Sequence, residues 1–138
     1  MEAIDGALAR EGGGTFAMTL APDGVPAQAG DSRARMTFTK DWSGLLCGAS
    51  DGVMLSAGSP AGGAAGYVAL ERFEGTLDGR HGSFALQQCG TMEHGRDSLL
   101  AVVTPGSGTG ALAGLAGTLA IERVDGQHRY SLQYALPG

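Results

Sequence analysis

The chain is short of basic residues, of motif-bearing cysteines and histidines, and of long apolar runs, and each shortage removes a class of function. Nine Lys+Arg residues stand against 14 acids, for a formal net charge of −5, and the basic residues are scattered. A phosphate-tracking surface needs them clustered, so nucleic acid is not an expected partner. Cys47 and Cys89 share no CxxC or Cys/His spacing, and His81, His94 and His128 do not assemble a site. No metal is therefore expected. The cysteines read as reduced side chains packed as small hydrophobes. A disulfide stays open, because sequence distance does not say whether two strands are neighbours. No apolar run reaches the ~20 residues of a membrane span, so no membrane partner is expected. The first 14 residues carry three acids and no apolar core of signal-peptide length, which makes cytoplasmic the expected location. Ser56, Ser83 and Ser98 lack a Gly-x-Ser-x-Gly setting and a partnered histidine, so serine hydrolysis has no support. Gly106-Ser107-Gly108-Thr109-Gly110 mimics a phosphate loop but lacks the following Lys-Ser/Thr and opens no helix.

What is present is alternation. The 138 residues suit one domain, and the 25 glycines fall mostly between apolar runs, as turns. Phe16, Met18 and Leu20 share one parity. So do Met36, Phe38, Lys40 and Trp42, then Leu119 and Ile121, then Tyr130, Leu132, Tyr134 and Leu136. This is strand periodicity, and no window holds a helical apolar stripe. Asp51-Gly52, Asp78-Gly79 and Asp125-Gly126 read as tight turns, as does His94-Gly95-Arg96-Asp97. Strands are expected near 15–20, 32–41, 43–50, 52–57, 66–77, 82–92, 98–104, 116–124 and 128–136. Residues 1–14 are expected as a flexible N-terminal tail, since Gly12-Gly13-Gly14 would stop any helical turn, and residues 15–138 as a single domain. Eight or nine strands at hairpin spacing predict an all-β, closed antiparallel barrel of about eight strands with little helix.

The hairpin from Tyr67 to Gly90 carries the chemistry. With the turn over Asp78–Gly82, Leu77 is expected opposite Phe84, Phe73 opposite Gln88 and Glu71 opposite Gly90. Residues facing one another share a face. Tyr67, Glu71, Phe73, Leu77, Phe84, Leu86 and Gln88 then point one way, and Val68, Leu70, Arg72 and Glu74 the other. An acid and an amide thus sit on an aromatic face. Two readings stay open: a solvated face, or polar groups held in a ligand cavity. On the second, burial penalises the charge of Glu71, which makes it the acid/base candidate. Gln88, with a hydroxyl from Tyr67, Tyr130 or Tyr134, would orient a carbonyl oxygen. Trp42, Met54, Phe38, Phe73, Phe84 and Tyr130 are candidates to line the cavity, alongside Phe16. Arg33 and Arg35 read as solvated, or as a border to the barrel mouth.

The phrases MTFTKDWSG, GVMLSAG, GYVALERFEGTLDGRHGSFALQQCGTM, TPGSGTGALAGLAGTLAI and HRYSLQYALP resemble a bacterial family known as domain of unknown function 3224. They cover about three quarters of the chain. That family is similar in fold to allene oxide cyclases and dirigent proteins, so the resemblance implies an eight-stranded barrel with an apolar lumen and a cofactor-independent reaction. It departs at Gln88-Cys89, where the family more often carries His-Ser, and a group that cannot titrate replaces one that can.

The first expectation is therefore a cyclase or isomerase that folds a small, mostly apolar ligand, such as a polyketide- or lipid-like intermediate of natural-product biosynthesis, without a cofactor. The alternatives are a barrel that binds an apolar molecule without chemistry and a structural barrel with a filled lumen. The resemblance also leaves a homo-oligomer open.

Overall fold

The computed structural model describes residues 3–4, 7–24, 29–94 and 96–137. Strands follow one another along the chain: β1 (Ala3–Ile4), β2 (Ala7–Pro22), β3 (Ala34–Gly44), β4 (Leu46–Ser59), β5 (Ala64–Leu77), β6 (Arg80–Glu93), β7 (Arg96–Val103), β8 (Ala116–Val124) and β9 (Gln127–Ala135). Among the described residues, one 3₁₀ turn at Gly110–Leu112 interrupts them. Every neighbour is antiparallel, and β2 pairs with both β3 and β9, which closes β2 to β9 into an eight-stranded barrel. Closure gives each of these eight strands two neighbours, although β7 and β8 pair only at Ala101–Leu119 and Val102–Thr118.

The turns follow from local chemistry. Asp78 and Gly79 both take positive φ, 49° and 79°, as do Asp125 and Gly126 at 52° and 76°. Two left-handed residues in succession form the tight turn whose twist matches a hairpin. The β5–β6 turn thus uses two residues rather than the five expected. The register moves with it: Leu77 faces Arg80, Phe73 faces Phe84, Glu71 faces Leu86 and Ala69 faces Gln88. A shift by an even number of positions keeps every side chain on its expected face. At His94 the chain also turns, with φ at 50°; Gly95 lies outside the described residues.

Three expectations need correction. Asp51-Gly52 is no turn: β4 runs straight through it, with Asp51 between Thr39 and Arg72. Gly52 is there for space, since a Cβ at that position would lie 2.6 Å from Phe38 Cζ and 2.7 Å from Glu71 Cβ. Residues 7–14 are strand rather than tail, with Ala9 to Gly14 paired to β9. The glycine run admits close backbone approach there: a Cβ on Gly13 would lie 2.3 Å from the Tyr130 carbonyl. Residues 1, 2, 5 and 6 of the expected tail lie outside the described residues. The cysteines, finally, are not packed inside. Leu46 and Gln88 point inward, so their neighbours Cys47 and Cys89 face outward, exposed and unbonded to each other.

The barrel has one stopped end and one open end. Loop 104–115 folds under the first. Ser107 Oγ donates to the Thr104 carbonyl at 2.7 Å and accepts from Ala85 N at 3.0 Å. Thr109 Oγ1 accepts from Ser83 N at 3.1 Å and sits 2.6 Å from Ser83 Oγ, while Thr109 N donates to the Ser83 carbonyl at 2.9 Å. The phosphate-loop lookalike is therefore the stitching of a stopper. It drives Leu112 and Leu115 into the core cluster with Leu46, Leu77, Leu132 and Leu136. Each fully buried leucine contributes roughly 1.5–3 kcal/mol.

Candidate functional site

Inside the barrel, the stopped half is solid. Trp42, Leu46, Phe73, Phe84, Leu86, Leu119 and Leu132 enclose a void of only about 10 Å³, with Glu71 on its edge. Trp42 packs edge-on against Phe73 and Tyr130, with ring centroids 6.3 and 5.0 Å apart. Phe73 tilts over Phe84 at 5.0 Å. Tyr130 spends its hydroxyl on the backbone, accepting from Leu46 N at 2.8 Å and donating toward the Ser43 carbonyl at 3.0 Å. Trp42, Phe73, Phe84 and Tyr130, expected as ligand contacts, are thus core that leaves no room for a ligand. Tyr134 is buried in the same core cluster and borders no part of the open end. A packed row of aromatics is what an eight-stranded barrel forms when its lumen is filled.

Above that core lies a chain of buried polar groups. Lys40 Nζ and Glu71 Oε1 form an ion pair at 2.8 Å, with 4% and 0% of their side chains exposed. Gln88 Nε2 donates to the same carboxylate oxygen at 2.5 Å, and Ser50 Oγ donates to Oε2 at 2.5 Å. Ser50 Oγ accepts from Trp42 Nε1 at 2.9 Å. Tyr67 OH reaches Gln88 Oε1 at 3.5 Å. The sheet makes this meeting inevitable: Lys40 faces Ser50 across β3–β4, Ser50 faces Phe73 two residues from Glu71, and Gln88 is the diagonal neighbour of Glu71. Among the described residues, no buried side-chain nitrogen or oxygen lacks a partner. That completeness is what makes a buried charge pair tolerable.

Lys40 Nζ also lies 4.8, 5.1 and 5.3 Å from the ring centroids of Phe16, Phe38 and Trp42. All are within cation–π reach, ~6 Å. Burial pushes its ammonium below the usual lysine range, and the Glu71 carboxylate offsets part of that. Lys40 is the single lysine of the chain; the other eight of its nine Lys+Arg residues are arginines.

The open end begins at Lys40. A cavity of about 210 Å³ has Lys40 and Gln88 in its lining. Its walls are Phe16, Met18, Phe38, Met54, Tyr67, Ala69, Leu99, Ile121 and His128. Of the expected contacts, Phe16, Phe38, Met54, Tyr67 and Gln88 come together here. Glu71 does not line the mouth; it touches it only through Lys40 and Gln88. His128 stacks on Phe16 at 4.8 Å and 10°. Burial, then Arg123, then Lys40 push its imidazole below 6.5. Burial, then Cys89 and Glu71, push the Tyr67 phenol above 10.0. Arg33 and Arg35 are exposed and held by Asp31 and Asp23 instead. Of the remaining surface, Leu55, Val68, Cys89 and Leu100 form an exposed cross-strand row in a shallow concavity on the outer face.

Sequence reasoning missed Lys40, Ser50 and His128. Lys40 shares its parity with Phe38 and Trp42, and His128 with Tyr130, and that parity is the signal that could have placed both inward. Ser50 was hidden by reading Asp51-Gly52 as a turn.

Among the described residues, no group of three His, Cys, Asp or Glu side chains is placed to hold a metal, and no helix is long and apolar enough to cross a membrane. No curated protein matches the chain. A solved structure does: a protein of unknown function from the DUF3224 family of Shewanella oneidensis MR-1, at 40% identity. It covers 95% of this chain and 100% of its own, with a TM-score of 0.87. The sequence pattern of that family, described as protein of unknown function (DUF3224), matches residues 12–134. The chain therefore belongs to the DUF3224 family.

Proposed function

We propose that the protein binds a small, mostly apolar molecule in the mouth of the barrel, with the polar end of that molecule set against Lys40 and Gln88. One observation carries this reading: a fully satisfied row of buried polar groups ends at an apolar cavity open to solvent. A barrel built only for stability gains nothing from such a row, because well-packed hydrophobic residues in place of a buried ion pair are often as stable or more so. The size of the mouth limits the ligand. About 210 Å³ is the share of liquid taken by roughly seven waters, below the ~300 Å³ at which drug-sized pockets begin. A polyketide- or lipid-like chain would enter with one end only.

The reaction this setting favours is a cyclisation or isomerisation without a cofactor, as the resemblance to allene oxide cyclases and dirigent proteins suggests. Lys40 gives or takes the proton, and Glu71 is the positioning residue that holds it. Gln88 and the Tyr67 hydroxyl orient the ligand's oxygen. What supports catalysis over storage is the depressed ammonium of Lys40 next to a carboxylate, since displaced proton affinities gather at reactive sites.

Calorimetric titration with benzyl alcohol, cyclohexanone and phenol tests the binding. Saturable binding to the wild type should be abolished by Ala69→Leu, which fills the mouth from β5, with the melting temperature retained. Binding that survives Ala69→Leu unchanged would place the ligand elsewhere.

A further inference from the structure

We propose that the ligand class is a small aldehyde or ketone, and that Lys40 condenses with its carbonyl carbon to form an imine. This rests on the reading of the mouth as a ligand site and adds to it a covalent step.

Three features converge. First, the amine is unique. The chain meets every exposed need for positive charge with arginine and uses its single lysine inside the barrel. Arginine never loses its proton in proteins; lysine does when desolvated, which is why lysine is the Schiff-base residue. If charge alone were wanted opposite Glu71, arginine's two-pronged geometry would serve better. Second, the amine is at the right place. Lys40 lines the floor of an apolar cavity whose walls are Phe38, Met54, Leu99 and Ile121. A carbonyl compound entering there brings its carbon toward Nζ and its oxygen toward Gln88 and Tyr67. Third, the proton has somewhere to go. Glu71 Oε1 is 2.8 Å from Nζ. Ser50 and Gln88 fix that carboxylate so that it cannot swing away.

The step balances without any further reagent. The ammonium passes a proton to Glu71, and the freed lone pair on Nζ adds to the carbonyl carbon. Proton transfer from nitrogen to oxygen gives the carbinolamine. Glu71 returns its proton to the Lys40 nitrogen, which passes it on to the hydroxyl; water leaves toward the open mouth, and the C=N bond forms as the protonated imine. Nothing is oxidised or reduced. An imine acidifies the adjacent C–H, which connects this step to an isomerisation or ring closure of the bound carbonyl compound.

Reductive trapping tests the proposal on the wild-type chain. Benzaldehyde and sodium cyanoborohydride would leave one benzyl group per trapped amine, located by peptide mass. Lys40 and the N-terminal amine are the only candidates. The same lysine in the urea-unfolded chain is the reference. Lys40 should label about tenfold or more faster in the folded chain, as expected for a desolvated, positioned amine. Excess benzyl alcohol, which has the same ring and no carbonyl, should suppress that labelling. Trp42 fluorescence follows benzyl alcohol binding independently. If benzyl alcohol binds saturably while Lys40 stays unlabelled in the folded chain, the imine is wrong and the binding site stands. If neither occurs, the imine and the binding site fall together.

Discussion

Removing Lys40 alone should damage the protein far more than removing Lys40 and Glu71 together. In Lys40→Met the Glu71 carboxylate keeps its bonds from Ser50 and Gln88 but loses its ion-pair partner, while its side chain remains fully buried. Breaking a buried pair from one side costs about 3–5 kcal/mol, because an uncompensated charge stays inside. For a chain of 138 residues, intermediate between the size classes for which each kcal/mol moves Tm by ~4–8 °C or ~2–4 °C, that is a drop of roughly 10–20 °C. Lys40→Met/Glu71→Met removes both charges and keeps the space filled. Ser50 retains the Trp42 indole as a partner, and Gln88 stays within reach of Tyr67. The double variant should recover all but about 1–2 kcal/mol, the cost of an imperfectly paired amide. Urea titrations of the wild type, both single variants and the double variant close a thermodynamic cycle, and its coupling energy isolates the pair. A Lys40→Met loss below about 1 kcal/mol, or a double variant as unstable as the sum of the singles, would contradict the assignment of a buried, mutually compensating pair.

Gly52→Val forces a Cβ to within 2.6 Å of Phe38 Cζ and 2.5 Å of the Leu70 carbonyl; it should cost at least the ~1–3 kcal/mol of overpacking, measured by denaturant midpoint. Thr109→Val strands Ser83 N and unpins the loop that stops the barrel; a loss of about 1–3 kcal/mol and faster hydrogen exchange at 104–115 are expected. His128 sets a pH dependence. Its folded form resists protonation relative to 6.5, so as pH falls below that value the unfolded chain takes up a proton first. Stability is then lost between 6.5 and the lowered value, and constant below it. His128→Phe should flatten that part of the stability–pH curve.

The barrel was legible in the sequence because period-two alternation records which face of a strand is buried, whatever the register. Glu71 and Gln88 came out on the correct face for that reason, although their predicted partners across the hairpin were not the right ones. Parity is local; register depends on how many residues the turn consumes, and Asp78-Gly79 consumes two. Depth along the barrel is not written in parity either. Phe73 and Phe38 have equal claims to a pocket from sequence, yet Phe73 lies in the filled half and Phe38 at the mouth. The glycines misled twice, at 12–14 and at 52, because a glycine that makes room for a neighbour looks the same as one that turns the chain.

A crystal of the protein soaked in benzyl alcohol decides whether the mouth of the barrel takes a ligand. Density is expected for one ring between Phe38, Met54 and Ile121, with its hydroxyl against Lys40 or Gln88. Density confined to the outer row of Leu55, Val68 and Leu100, or a mouth holding only water at saturating concentration, would contradict it.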